Sequence, residues 1–216
     1  RLLIFRFLFS KKSDGYVSIF AWFSIIGISL GVAAIIIVMS VMNGFRIDLT
    51  NRIIGLNSHL NIYSFDNEIT NKQADELILN IDNSFFYQHY KSIETNGLII
   101  KSNNSKGVMI KGYDAYDKNH YLFNSINKGA LIQNPKREIL IGDSLANEMN
   151  LSVGDKVKIA IPKTDKTILG NIPRFKTLEV VGIFDLGLYE YDSNLIFLSS
   201  ELVRKLLLYD DDIYNK

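Results

Sequence analysis

The sequence predicts an α+β protein in which one apolar N-terminal helix is followed by a single domain of mixed strands and helices. Two observations lead to this prediction. Residues 15–45 include no Asp, Glu, Lys or Arg, and beyond them short apolar runs typical of strands alternate with helical segments. The roughly 170 residues after the apolar segment are a usual size for one domain.

The uncharged segment 15–45 is long enough to cross a membrane as a helix. A helix rises about 1.5 Å per residue, so roughly 20 apolar residues span a hydrocarbon core of about 30 Å. A cleaved signal peptide is the alternative, but its apolar core has only about 7–15 residues and ends in an A-x-A-like site. Residues 41–45, Val-Met-Asn-Gly-Phe, contain no such site. We therefore predict a transmembrane helix at 15–45.

The charges before this helix predict its orientation. Four basic residues and one acidic residue precede it: Arg1, Arg6, Lys11, Lys12 and Asp14. Because positive charge beside a span stays cytoplasmic, we expect residues 1–14 to form a cytoplasmic lead and residues 46–216 to lie outside the cytoplasm. The chain starts with Arg1 and stops soon after a predicted helix, so we expect cut ends and a domain that is incomplete at its C-terminal end.

Two groups of residues on the helix are candidates for contacts within the membrane. The first is a stripe of small residues, Ser24, Gly27, Gly31 and Ala34. Small side chains let a second helix approach closely, so we predict a packed helix rather than a lone anchor. The second group, near the outer end, comprises Met39, Met42, Phe45 and Leu49. Flexible methionines adapt to acyl chains, and both a bound ligand and ordinary membrane lipid are explanations that stay open.

The domain beyond the span is predicted element by element from its periodicity. The helix continues past residue 45 as an amphipathic stripe and stops near Gly55. The elements that follow are a strand at 60–63, a helix at 70–81 opened by a Thr70–Gln73 capping box, strands at 92–102, 108–113 and 138–142, a helix at 143–149, strands at 156–161, 177–184 and 195–198, and a helix that starts near Ser199 or Ser200. We expect predominantly antiparallel pairing.

Composition and motifs predict that this chain is not an enzyme. A net charge of +1 argues against a nucleic-acid partner, and the absence of Cys excludes thiol catalysis and cysteine-ligated zinc. His59, His89 and His120 lack metal-ligand spacing, and no nucleophile elbow or phosphate-binding loop occurs. Glu190 and Asp192 are an acidic pair, for which a solvated loop is the preferred interpretation over acid–base chemistry. We expect no metal or cofactor in this chain.

Three segments in order resemble one family of membrane proteins. They are residues 24–45, which end in Ser-Val-Met-Asn-Gly-Phe, residues 141–155, which end in Leu-Ser-Val-Gly-Asp, and residues 173–192, which end in Tyr-Glu-Tyr-Asp. Together they resemble the permease subunits of the lipoprotein-releasing ABC transporter, the LolC/LolE (or fused-type LolF) family of the MacB-like superfamily. The first and third segments are the more specific.

The resemblance implies a larger assembly in the bacterial inner membrane. Members have four transmembrane helices, with a MacB-like mixed α/β domain in the periplasm between the first two. They pair with a second permease subunit, of the same or a different type, and with a LolD-like cytoplasmic ATPase pair that binds ATP and Mg²⁺. Lipoproteins pass from the outer leaflet to the periplasmic chaperone LolA. This chain would be the first helix and most of the periplasmic domain.

The segment 162–176 is predicted to be a long loop between two strands, too long for a simple hairpin connection. Its resemblance to LolC-like members implies a protruding hook that recruits the chaperone. The candidate contact residues are Pro162, Ile168, Leu169, Gly170, Ile172, Pro173 and Arg174. Prolines limit backbone freedom, aliphatic side chains suit a hydrophobic cavity, and Arg174 suits an acidic rim. A disordered surface loop is the alternative.

Two other functions are alternatives to lipoprotein release. One is a MacB-like efflux permease or an FtsX-like signalling permease, against which the hook-like segment and Tyr-Glu-Tyr-Asp argue. The other is a single-pass anchored binding or scaffold module without transport, against which the small-residue stripe argues.

Overall fold

The structure is a computed structural model that describes residues 15–65, 68–80, 89–114, 121–167, 170–210 and 212–216. The chain divides into two compact units, Arg1–Ile53 and Ile54–Lys216. The first unit is helical where it is described, and the second combines a mixed sheet with short helices. The predicted α+β class is therefore confirmed.

Helix α1 runs from Gly15 to Asn57 without interruption. The predicted continuation of the helix past residue 45 is therefore confirmed. Its segment Ile19–Ile54 is long and apolar enough to cross a membrane, judged by length and composition. The helix ends just after Gly55, the predicted stop, and Ser58 follows with a left-handed φ of 64°.

The strand predicted at 60–63 is wrong. These four residues are exposed and take no part in a strand, so their alternating apolar side chains have no buried face to point toward. A short strand β1 (Ile69–Thr70) instead leads into helix α2 (Asn71–Asn80). The predicted capping box at this helix is confirmed, because Thr70 and Gln73 exchange side-chain-to-backbone hydrogen bonds of 3.0 and 3.3 Å.

The second unit is built on a seven-stranded sheet. Its strands are β2 (Ile93–Lys101), β3 (Asn104–Tyr113), β4 (Ile126–Gly129), β5 (Glu138–Gly142), β6 (Lys156–Thr167), β7 (Gly170–Phe184) and β8 (Leu195–Ser199). The strand order is β4-β7-β5-β8-β3-β2-β6, and a further pairing of β6 with β7 closes the sheet into a ring. Only β3–β8 and β5–β7 are parallel among the described pairs. The expected predominance of antiparallel pairing is confirmed.

Short helices cover this sheet. They are the 3₁₀ helix Tyr121–Ser125, α3 (Asp143–Glu148), α4 (Tyr189–Asn194) and α5 (Ser200–Leu207). The helices predicted from 143 and from Ser199 or Ser200 are confirmed. Ser199 is the cap of α5, and its hydroxyl accepts a hydrogen bond of 3.2 Å from the Leu202 N–H. A last short strand, β9 (Ile213–Tyr214), pairs antiparallel with β1.

The central strand β8 supplies two hydrophobic cores on opposite faces of the sheet. Ile196 and Leu198 enter the larger core, whereas Leu195 and Phe197 enter the smaller one. All five residues of β8 are buried. Successive side chains of a strand point to opposite faces, and because β8 is buried on both faces it is apolar from Leu195 to Leu198.

The irregular loop predicted at 162–176 is wrong, because the strands on either side of it continue and pair with each other. β6 and β7 stay in antiparallel register as far as Thr167 opposite Gly170. One irregularity interrupts the ladder between Ile161 and Thr164. Pro162 at this irregularity and Pro173 opposite Thr164 are compatible with the pairing, because sheets accept proline at bulges and edges.

A charged cluster joins β2 and β3 to the C-terminal segment. The Glu94 carboxylate lies 3.0 Å from the Nζ of Lys111 and 3.0 Å from the Nζ of Lys216. The Asn215 side chain also exchanges hydrogen bonds of 2.8 and 2.7 Å with the Glu94 backbone. Burial alone would raise the pKa of Glu94, but the attraction and hydrogen bonds of Lys111 and Lys216 lower it overall.

Replacing Glu94 with Gln is expected to destabilise the protein by about 1.5–3 kcal/mol at neutral pH, the range for hydrogen bonds to a charged group. Because the folded pKa is depressed, this contribution is present above the ordinary value of 4.5 and is lost as the pH falls through the folded pKa. Thermal unfolding near neutral pH and below about pH 4 tests this, because the difference between wild type and variant should shrink in acid.

The matched control for this experiment is Glu201→Gln. Glu201 forms an exposed ion pair with Lys205 one turn away on α5, and such pairs contribute about 0.3–0.5 kcal/mol. A Glu94→Gln penalty no larger than that of the control, or one that does not change with pH, would contradict the prediction.

Candidate functional site

The first candidate site is the distal part of the β6–β7 hairpin, residues 162–173, which we call the β6–β7 arm. Pro162 lies in β6 at the irregularity of the ladder, and Pro173 lies in β7 opposite Thr164. Ile172 is opposite Asp165. The arm is thus a paired two-stranded ribbon as far as Thr167 and Gly170, rather than an unpaired loop.

The predicted hook residues lie at different distances from the end of this ribbon. Gly170 is the first residue of β7, and Ile172 and Pro173 follow it. Ile168 and Leu169 lie outside the described residues. Their contact with a chaperone stays a prediction.

Arg174 is at the base of the arm, opposite Ile161 of β6. Its side chain is half-buried, and Nη1 donates a long hydrogen bond of 3.4 Å to the Lys205 carbonyl at the end of α5. The guanidinium therefore leans toward the domain, and the predicted role in steering an acidic rim stays a prediction.

The arm and its base carry an excess of positive charge. Between residues 156 and 176 the sequence has six basic residues, Lys156, Lys158, Lys163, Lys166, Arg174 and Lys176, against one acidic residue, Asp165. Lys158 and Lys176 are exposed. This charge favours an acidic partner and discourages a basic one.

An apolar surface that the sequence analysis missed lies beside the base of the arm. Phe175 is opposite Ala160, and Ala160 is opposite Leu98, so the three share one face of the sheet. Met109 lies on the neighbouring strand β3, two residues from the partner of Leu98. Phe175, Leu98 and Met109 are 56%, 46% and 45% exposed. Only the register brings these distant residues together, so no local sequence signal could have found them.

The second candidate site is the surface of α1. The side chains of Met39, Met42 and Phe45 are 68%, 62% and 58% exposed, whereas Leu49 is half-buried. These exposed apolar side chains suit contact with acyl chains, in lipid or in a ligand. Which of the two they contact stays a prediction.

The small-residue stripe also lies on the exposed surface of α1. Ser24, Gly27, Gly31 and Ala34 are all exposed. A Cβ added at Gly27 or Gly31 would meet no atom within 4 Å. Open space at these glycines would admit a second helix, and that packing stays a prediction.

The third feature is the Tyr-Glu-Tyr-Asp segment, which forms most of α4 and is tied to its surroundings by three side chains. The Tyr189 hydroxyl donates a hydrogen bond of 2.8 Å to Glu148 on α3. The Tyr191 hydroxyl accepts a hydrogen bond of 2.9 Å from the Asn57 side-chain amide at the end of α1. The Asp192 carboxylate accepts hydrogen bonds of 2.9 and 3.1 Å from the backbone N–H groups of Leu186 and Leu188.

The solvated loop expected for Glu190 and Asp192 is wrong for Asp192. This residue is only 3% exposed and holds the turn after β7. Burial raises the pKa of Asp192, and nearby Asp185 raises it further, while the two backbone N–H groups lower it. Gly142, the last residue of β5, lets α4 approach the end of this strand closely, because a Cβ at this position would lie 2.1 Å from the Asp192 carbonyl oxygen. The segment is therefore a packed structural element.

Metal-binding groups do not cluster in the part of the chain that the structure describes. No set of three or more His, Asp or Glu side chains there could hold an ion. His59 and His89 are both exposed, and His120 lies outside the described residues.

Comparison with known proteins places these features in a family. Residues 21–214 match the family described as MacB-like periplasmic core domain. The lipoprotein-releasing system transmembrane protein LolC of Neisseria meningitidis serogroup B is 27% identical over 96% of this chain and 51% of its own length. The corresponding LolE of Haemophilus influenzae is also 27% identical, over 96% of this chain and 51% of its length. The predicted resemblance to LolC and LolE is confirmed.

The chain spans about half the length of the curated relatives it matches. Among solved structures, the extracellular domain of the noncanonic ABC-type transporter YknZ from Gram-positive bacteria is similar to 71% of this chain and 76% of its own, with 13% identity and a TM-score of 0.46. Since the family match extends from the apolar part of α1 to the last strand, β9, the protein belongs to the MacB-like periplasmic core domain family.

Proposed function

We propose that this chain is part of a permease subunit of an ABC transporter that releases lipoproteins from the inner membrane, and that it is not itself an enzyme. The observation that carries the proposal is the similarity to LolC and LolE along almost the whole chain, combined with the family match. The long apolar helix and the mixed-sheet domain agree with such a subunit.

In this proposal α1 is the first membrane span and the unit after it lies in the periplasm. The basic residues that precede the helix support this orientation, because positive flanks stay cytoplasmic. The exposed stripe at Gly27 and Gly31 is the surface for another helix, either in the same subunit or in a second permease subunit.

The energy for release comes from a partner in this proposal. A LolD-like ATPase pair in the cytoplasm binds ATP and Mg²⁺, and its hydrolysis moves the permease. Lipoproteins enter from the outer leaflet, where Met39, Met42, Phe45 and Leu49 of α1 contact their acyl chains. The absence of a phosphate-binding loop in the sequence supports assigning hydrolysis to another subunit.

The β6–β7 arm receives the periplasmic chaperone LolA in this proposal. A paired ribbon loses little conformational freedom on docking, which favours binding. Its aliphatic residues suit a hydrophobic cavity, and the basic residues around it suit an acidic rim. The apolar surface formed by Phe175, Leu98 and Met109 provides further contact area beside the arm.

A photo-crosslinking residue placed at Ile172 of the full-length protein tests this function in cells. We expect an adduct with a LolA-like chaperone, and we expect its loss when residues 165–173 are deleted. The matched control is the same crosslinker at Leu79, which is 81% exposed on α2 and should capture no chaperone. If Ile172 captures none in a correctly inserted and assembled protein, an efflux-type or LolE-like permease becomes the better assignment.

A further inference from the structure

Helix α5 carries two polar residues on the face that it packs into the domain. Ser200 and Arg204 are one helical turn apart, and side chains at this spacing lie on the same face of a helix. Val203 and Leu207 belong to the same stripe, and both enter the larger core. Ser200 is completely buried, and Arg204 is only 9% exposed. A charged side chain in such a stripe is unusual, because Arg is almost never fully buried unless it is paired.

The polar atoms of these two side chains lack protein partners within the described part of the chain. The Nε and Nη1 atoms of Arg204 and the hydroxyl oxygen of Ser200 are buried, and none of the three has a hydrogen-bond partner there. A guanidinium cannot shed its charge by losing a proton in a folded protein. Burying it without a counter-charge is therefore strongly unfavourable.

An aromatic ring lies against the guanidinium but does not satisfy these donors. The Arg204 Cζ is 4.9 Å from the centre of the Tyr214 ring, a distance typical of a cation–π contact. The Tyr214 hydroxyl donates its own hydrogen bond, of 3.1 Å, to Asp114. The ring therefore attracts the cation, while Nε and Nη1 of Arg204 still require acceptors.

The carboxylates of this region are engaged with other groups. Glu201 lies 2.5 Å from the Nζ of Lys205 and 3.9 Å from the Nζ of Lys136. The hydrogen bond with Lys205 is the main cause that lowers the pKa of Glu201, and Arg204 contributes least. Arg204 takes part in none of the ion pairs formed between described residues. Its charge is therefore not balanced by a direct partner among them.

These donors specify the chemistry of the group that they bind. A guanidinium only donates hydrogen bonds and a serine hydroxyl can donate one, so the complementary group is an acceptor. An ionised carboxylate only accepts, and it carries the single negative charge that one unpaired cation requires. A water molecule would accept a hydrogen bond but leave the charge of Arg204 unbalanced. A phosphate group would bring about two negative charges to one cation.

We propose that Ser200 and Arg204 form a carboxylate-binding subsite on the buried face of α5. The carboxylate is either an acidic side chain of the full-length protein or a small carboxylate ion from solution, and the two have the same chemistry at the site. The inference goes beyond the proposed function and does not depend on it, because these donors belong to the domain whatever the transporter carries.

Thermal unfolding of the full-length protein in detergent tests for a carboxylate ion from solution. Sodium acetate is the probe, and it replaces sodium chloride at constant ionic strength. If the subsite takes such an ion, the unfolding temperature should rise by about 5 °C once acetate exceeds its Kd about 100-fold. Arg204→Met should remove this response. Lys205→Met, which removes an exposed cation from the next position of α5, should keep it.

Carbodiimide cross-linking tests for a carboxylate that belongs to the protein. This reagent joins an amine to a carboxylate in contact with it, and Arg204→Lys places an amine at the subsite. We expect a cross-link from position 204 to one Asp or Glu, located by mass spectrometry of the peptides. Arg204→Met should then lower the unfolding temperature by at least about 5 °C, because it leaves a buried carboxylate unpaired. The cross-link between Lys205 and Glu201, 2.5 Å apart, is the internal control for the reaction.

Ser200→Ala distinguishes binding from packing, because it removes one hydroxyl and leaves the charge of the subsite unchanged. It should weaken acetate binding about tenfold, the loss expected for one hydrogen bond to a charged group, or lower the yield of the cross-link from position 204. Two outcomes would overturn the proposal: neither an acetate response nor a cross-link from position 204, or an Arg204→Met variant that unfolds at a higher temperature than a wild type insensitive to acetate. None of these measurements requires lipoprotein release, so such a failure would leave the proposed function standing.

Discussion

Excising the β6–β7 arm is expected to abolish delivery to the chaperone while leaving the fold intact. In this variant an Asn-Gly turn joins Ile161 directly to Arg174, which are register partners in the parent hairpin. Asn-Gly favours the tight turn that connects two antiparallel strands. Chaperone affinity should fall by at least about 100-fold, as when several central contacts of an interface are lost together. Pull-down of the chaperone with the full-length complex measures this.

The control for excision is the stability of the shortened protein. The pairing from Lys156 opposite Glu179 to Ile161 opposite Arg174 is retained, so the ring of strands stays closed. Its unfolding temperature should stay within a few degrees of the parent value. A shortened protein that is folded, assembled and still binds the chaperone at the parent affinity would contradict the assignment of the arm.

Replacing Phe197 with Ala is expected to cause the largest loss of stability of any single substitution considered. Phe197 is completely buried on the central strand β8. Its ring meets Phe184 and Tyr113 edge to face, at centroid distances of 5.2 and 5.9 Å. Removing such a side chain leaves a cavity and costs about 3–5 kcal/mol, a large fraction of a usual domain stability of about 5–15 kcal/mol.

Phe175→Ala is the matched control for this measurement. Phe175 belongs to the same sheet but is 56% exposed, so its loss should change the free energy of unfolding by no more than about 0.5 kcal/mol. Urea denaturation of both variants in the same detergent compares them directly. If the Phe197 penalty falls below about 1 kcal/mol, the smaller core is not packed as described.

The elements predicted correctly are those whose signal is local. The apolar length of α1, the capping box of α2 and the short apolar runs of β5 and β8 each depend on neighbouring residues. The Thr70–Gln73 pair is an example, because both members of the box lie within one helical turn. The error at 162–176 arose because the segment between the two predicted strands was taken as a long loop, whereas both strands extend into it and pair with each other.

Residues that act over long sequence separations could not be assigned in advance. Asp192 belongs to a segment that looked distinctive, yet its burial depends on Gly142 and on the turn after β7. Asn57 and Tyr191 are 134 positions apart. Each pair requires the fold before it can be recognised, since neither partner carries a pattern that points to the other.

The sequence by itself therefore determined the long apolar helix, the α+β class and, through three short segments, the resemblance to LolC and LolE. These conclusions depend on composition, on periodicity and on residue order, and each of these can be read from the sequence without knowing which distant residues are in contact. Only the tertiary structure decided that the hook-like segment is a paired arm, that Phe175, Leu98 and Met109 form one surface, and that Asp192 is buried at the turn after β7. The physical reason is strand register: hydrogen bonding between distant strands sets which side chains become neighbours.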